Sequence, residues 1–137
     1  MAMNTILELS HYNFIFTTAQ TILLAALYSY YKGHGWLCML PGSTWITSVI
    51  YWWYPDFSWR RYLDIAVVLI TLSIQHIIAY NAEHSVTYYV FCLCGGCFFI
   101  MSQFFYMCNE HWASAVSHGF LHIMTSIGTM VLYSGKL

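Results

Sequence analysis

The sequence predicts an all-α fold, a polytopic bundle of about five transmembrane helices in one domain spanning residues 1–137, and three observations carry this. Of the 137 residues, 60% are hydrophobic and 20% aromatic, whereas only 7% are charged, against about 25% in an ordinary soluble domain. The charged residues are Glu8, Lys32, Asp56, Arg60, Arg61, Asp64, Glu83, Glu110 and Lys136. Between them run five apolar stretches that approach or exceed the ~20 residues needed to cross a bilayer. Aromatic residues bracket nearly every stretch: Tyr30, Tyr31 and Trp36, then Trp52, Trp53, Tyr54 and Trp59, then Tyr88, Tyr89, Trp112 and Tyr133. Such belts form at membrane interfaces.

The spans read as about 12–31, 37–53, 62–80, 86–107 and 112–133. No Lys or Arg precedes the first, and no small-residue cleavage pattern follows it, so it is expected to be retained. Gly33 to Gly35 makes a tight turn into the second span, which is short and carries Pro41 and Gly42 near its start. A tilted or partly unwound segment is expected there. Pro55 ends the second helix, and Asp56 or Ser58 can cap the third. Residues 81–85 and 108–111 make the remaining connections. With five spans, Arg60 and Arg61 fall on one side and Lys32 and Lys136 on the other, a tie in the positive-inside count that leaves orientation and the host membrane open.

Helical phase selects candidate functional faces. At ~100° per residue, Asp64, Val68, Thr71 and Gln75 share one stripe of the third helix, and Ser114, His118, His122, Thr125 and Thr129 share one of the fifth. Polar residues at membrane depth turn inward, so these stripes should face the protein interior. The second span offers Thr44, Ser48 and Tyr51, and the fourth Tyr89, Gly96 and Gln103. At ~1.5 Å per residue, Ser48, Asp64, His118 and His122 all lie one to three turns from the same side, in one half of the membrane.

Two histidines four residues apart with a carboxylate match a catalytic zinc set, in which three protein ligands leave a fourth position for water. His118, His122 and Asp64 are the candidate ligands, with Asp64 as ligand or general base and Ser48 orienting water or substrate. The same histidines also serve as interhelical hydrogen-bond partners, or as elements of a proton or ion path. Arg60 and Arg61 suit lipid phosphates, as headgroup anchors or as a polar lid over the site. His76, near Glu83 and His84, belongs to the opposite end. Cys92, Cys94 and Cys97 lie mid-span around Gly95 and Gly96, where small residues allow close helix contact. They do not indicate a redox compartment.

Ser48, Asp64 and His118-Gly119-Phe120-Leu121-His122 together resemble the pattern of the ceramidase and adiponectin-receptor superfamily, seven-helix membrane hydrolases that hold zinc. The resemblance covers about three helices and implies zinc-dependent hydrolysis of a lipid amide or ester. Trp52 stands where that family's third zinc histidine would be, and five helices replace seven, so a relative retaining the fold without the chemistry fits equally. The segment from Tyr51 to Asp64 resembles short membrane proteins of large DNA viruses, which would imply a viral or infected-host membrane.

Three functions follow as expectations: a metal-dependent lipid hydrolase, an oligomeric ion or proton channel, and a non-catalytic subunit or scaffold of a larger membrane complex. The expected partners are the bilayer, a lipid substrate and copies of the chain itself. With four Lys and Arg in all, nucleic acid is not an expected partner.

Overall fold

The computed structural model describes residues 6–137, and every described regular element is helical. These are α1 (Leu9–Tyr31), a 3-10 turn (Gly35–Cys38), α2 (Met39–Trp52), α3 (Trp59–Ala79), α4 (Ser85–Met107) and α5 (His111–Ser134). Gly33 and Gly35, at φ 82° and 54°, supply the left-handed backbone of the turn after α1. Asn109, at φ 62°, does the same between α4 and α5.

α2 corrects one expectation. Pro41 and Gly42 do not unwind it, because Pro41 is the third residue of the helix, where the backbone N–H has no partner within the helix anyway. The irregularity is confined to the 3-10 turn ahead of Met39. With 14 residues, α2 is only about 21 Å long. α3 is capped by Ser58, whose Oγ accepts the backbone N–H of Arg60 at 3.3 Å.

α3, α4 and α5 are long and apolar enough to cross a membrane. α1 has the length of α4, but within its 23 residues it carries His11, Asn13, Thr17, Thr18, Gln20 and Thr21. Its polar residues turn into the protein: Trp45 Nε1 donates to Gln20 Oε1 at 3.0 Å, and Thr21 Oγ1 lies 3.1 Å from Ser126 Oγ.

The helices pack in the order α3, α2, α1, α5, α4. α3 and α4 are consecutive in the chain yet do not pack along one another. They are pinned near the turn that joins them, where Tyr89 Oη donates to the His76 carbonyl at 2.8 Å and the His76 ring meets Tyr88 and Tyr89. Two apolar clusters close the ends of the bundle. Leu7, Tyr12, Ile15, Tyr51, Trp52 and Ala115 form one, and Ala79, Ala82, Tyr88, Leu132 and Tyr133 the other.

Glycines set the closeness of α4 and α5. A Cβ on Gly95 would lie 2.8 Å from Thr125 Cγ2, and one on Gly128 would lie 2.9 Å from Phe91 Cβ. Gly119 makes the same kind of approach to α1, with a Cβ 2.7 Å from Phe14 Cε1. Around Gly95 the cysteines are free thiols, Cys94 and Cys97 exposed and Cys92 half-buried. Gly96 differs from its neighbour, for a Cβ there meets nothing within 4 Å. Gly128→Val is therefore expected to cost about 1–3 kcal/mol through overpacking, and Gly96→Val to have little effect. Thermal unfolding of both variants in detergent checks this, and equal losses would count against the α4–α5 contact described.

Candidate functional site

Between the helices lies a cavity of about 820 Å³, lined by residues from all five. The α3 stripe of Asp64, Val68, Thr71 and Gln75 faces it, as does the α5 stripe of Ser114, His118, His122, Thr125 and Thr129. So do Thr44, Ser48 and Tyr51 from α2, and Tyr89, Gly96 and Gln103 from α4. The cavity runs from Arg61 to His76 along α3. It is therefore longer than a pocket confined to one half of the bundle.

On one wall Asp64 is held by α2. Thr47 Oγ1 and Ser48 Oγ both donate to its Oδ1, each at 2.9 Å. No hydrogen bond engages Oδ2 among the described residues. Deeper along the same seam, Thr44 Oγ1 and Thr71 Oγ1 lie 2.8 Å apart. Hydroxyls at Thr44, Thr47 and Ser48 thus give α3's polar stripe partners that an apolar environment withholds.

On the opposite wall the rings of His118 and His122 meet edge to face, their centroids 5.0 Å apart. His122 is buried against α1, with Nδ1 3.3 Å from Thr18 Oγ1. Thr18 Oγ1 also lies 2.8 Å from the Ile15 carbonyl, so its hydroxyl sits between that carbonyl and the His122 ring. His118 makes no hydrogen bond among the described residues. Its ring packs against Trp52 at 4.8 Å and Phe99 at 6.5 Å, and it lines the cavity.

The residues present do not fit the three-ligand zinc set. Among the described residues, no group of three or more His, Cys, Asp or Glu comes close enough together to hold a metal ion. His118 and His122 offer two nitrogens, Asp64 is fastened to α2 on another wall, and the indole of Trp52 packs beside His118. His111 lies elsewhere, its ring against those of His11 and Tyr106.

The two arginines differ. Arg60 is consumed locally, donating to Asp56 Oδ2 at 2.7 Å, the Tyr54 carbonyl at 2.9 Å and Ser58 Oγ at 3.2 Å. Arg61 lies over the Phe57 ring, 5.1 Å from its centroid, and lines the cavity mouth. The Ser58 hydrogen bond, and then Arg60, hold the Asp56 carboxyl below the usual carboxylate range. His76 lies at the far end of the cavity, its Nδ1 2.8 Å from the Leu72 carbonyl and 3.1 Å from Tyr88 Oη.

Sequence reasoning passed over Thr18, Thr21, Thr47 and the packing role of Trp52. The signal for α1 was present in the run Thr17-Thr18-Ala19-Gln20-Thr21, polar residues inside an apolar span that need partners. Thr47 stands next to Ser48, and only the rotation of α2 against α3 brings both hydroxyls to one oxygen.

No protein-family model, curated protein or solved structure matches the chain.

His122→Ala is expected to cost about 2 kcal/mol or more, since it empties a buried volume and removes the contact between α5 and Thr18. His118→Ala should cost less than half as much, because that ring gives up no hydrogen bond. Unfolding of the two variants measures the order, and the reverse order would contradict the wall described. Asp56, with its lowered value, should stabilise the loop before α3 at neutral pH and down to the ordinary carboxylate value of ~3.9. That contribution is lost as pH falls through the lowered value, so Asp56→Asn should destabilise at pH 7 and become neutral in strong acid.

Proposed function

We propose that this chain is a small multi-pass integral membrane protein whose cleft takes the hydrocarbon chain of a lipid, the lipid's polar group reaching Ser48, Asp64 and His118. The observation that carries this reading is the cavity of about 820 Å³ shared by five helices, a volume within the ~300–1,000 Å³ of ligand pockets. Its lining combines aliphatic side chains such as Ile65, Leu69, Leu93 and Ile100, and aromatic ones such as Phe57 and Phe99, with the Ser48–Asp64 pair and the unbonded His118. Each methylene buried there contributes ~0.8 kcal/mol relative to water.

Five crossings accompany this reading. α1 sits between α2 and α5, where Thr18, Gln20 and Thr21 find partners, and a helix so surrounded tolerates a polar composition that lipid exposure would penalise. α3 and α4 present Ile70, Ile77, Val86, Val90 and Phe104 on exposed surface away from the cavity, suited to hydrocarbon. Tyr88, Tyr89 and His76 tie one end of the cleft together, which favours a blind pocket over the through-path a channel needs.

A hydrolytic reading draws on one further observation, that Ser48 and Asp64 form a hydrogen-bonded pair in the cavity that His118 also lines. It predicts turnover of a lipid ester or amide that is lost in His118→Ala and Asp64→Asn alike. Lipid uptake without turnover leaves the binding reading alone standing.

The test of binding is native mass spectrometry of the full chain released from mild detergent or nanodiscs. One retained lipid per protein is expected. Gly96→Trp, which grows into open space, should reduce retention about tenfold while the thermal midpoint stays near that of the parent. Absence of retained lipid, or full retention in Gly96→Trp, would overturn the reading.

A further inference from the structure

Charge at the mouth of the cleft narrows what it can accept. Arg60 and Arg61 are adjacent, but Arg60 is neutralised by Asp56 at 2.7 Å, whereas Arg61 makes no ion pair and no side-chain hydrogen bond among the described residues. Its guanidinium rests on Phe57, and both residues line the cavity. Three residues further along α3, about 4.5 Å deeper, Asp64 offers Oδ2 as an open acceptor while Oδ1 takes Thr47 and Ser48. Below Asp64 the α3 side of the lining turns aliphatic through Val68, Leu69 and Leu72. From the outside inward the cleft presents a cation, a hydrogen-bond acceptor and a mainly aliphatic wall in which Thr71 is the one polar residue before Gln75. From Arg61 to Gln75 the α3 lining as a whole extends about 21 Å.

We infer that the ligand of this cleft is an anionic single-chain amphiphile, with its acid group on Arg61, an adjacent hydroxyl or N–H donor on Asp64, and its chain along α3. The inference rests on the lipid-cleft reading and adds to it a charge and an order of groups. A neutral lipid with the same chain would fill the apolar wall but leave Arg61 without its counterion. A charge-assisted contact of this kind is worth roughly tenfold or more in affinity. A small phosphate ester without a chain would meet Arg61 in solvent, where a single contact holds little.

The experiment uses the full chain in detergent or nanodiscs and a fluorescent fatty-acyl probe displaced by three competitors: oleoyl lysophosphatidic acid, mono-oleoylglycerol and glycerol phosphate. The first should compete about tenfold more tightly than the second, and the third should not compete. Arg61→Gln should abolish the difference by weakening the acidic lipid alone, and its unchanged affinity for mono-oleoylglycerol shows that the cleft is intact. Lys32→Gln, at the other end of the bundle, should preserve the difference. Equal binding of the two lipids by the parent, or a preference that survives in Arg61→Gln, would overturn the inference while leaving a lipid cleft in place. Competition by glycerol phosphate would overturn it in favour of a chainless phosphate ester. Failure of both lipids to bind would overturn the lipid-cleft reading itself.

Discussion

The position of α1 between α2 and α5 is the constraint on which the rest of the structure depends. A polar group buried in an apolar bundle without a partner costs several kcal/mol, and α1 supplies partners on both sides. Thr18 Oγ1 meets the His122 ring, Thr21 meets Ser126, and Gln20 accepts from Trp45. Because α1 lies between them, α2 and α5 stand apart over much of their length, with Trp52 and His118 in ring contact across the interval. α3 follows α2, and α4 follows α5, so the two outer helices flank a space that no helix fills.

That space survives because the apolar clusters that stabilise the bundle are at its ends. Tyr51, Trp52, Ile15 and Ala115 close one, and Tyr88, Leu132, Tyr133 and Ala79 close the other. The second cluster lies beside the His76, Tyr88 and Tyr89 contacts that join α3 to α4. Glycine-mediated closeness between α4 and α5 then fixes one wall, while hydroxyl pairs between α2 and α3 fix the other. A groove between rigid walls is preorganised for a ligand, which lowers the ordering cost of binding.

Helical phase made the facing stripes of α3 and α5 legible, since a spacing of four or seven residues specifies a face whatever the neighbouring helices do. Asp64, Gln75, His118 and Thr129 all line the cavity for that reason. Phase and depth say nothing of lateral order, and here chain order misleads, for α3 and α4 are consecutive without packing together. The ligand geometry of His118, His122 and Asp64 was unreadable on the same ground, because their separation is set by which helices intervene. α2 shows another limit. Pro41 reads as a breaker until the start of the helix is known, and two residues of displacement decide whether its missing N–H matters. The partners on α1 were hidden by averaging, as a span scored for hydropathy does not report which face its threonines occupy.

The separation of α3 from α4 is open to direct measurement. Spin labels at Leu69 and Leu93, both on the cleft lining, can be placed in a chain whose five native cysteines are replaced, and their distance read by double electron–electron resonance in nanodiscs. A well-defined distance clearly longer than that of helices packed at the usual ~8–10 Å between axes is expected. A short distance, characteristic of α3 and α4 lying against one another, would contradict the open cleft and the ligand site built from it.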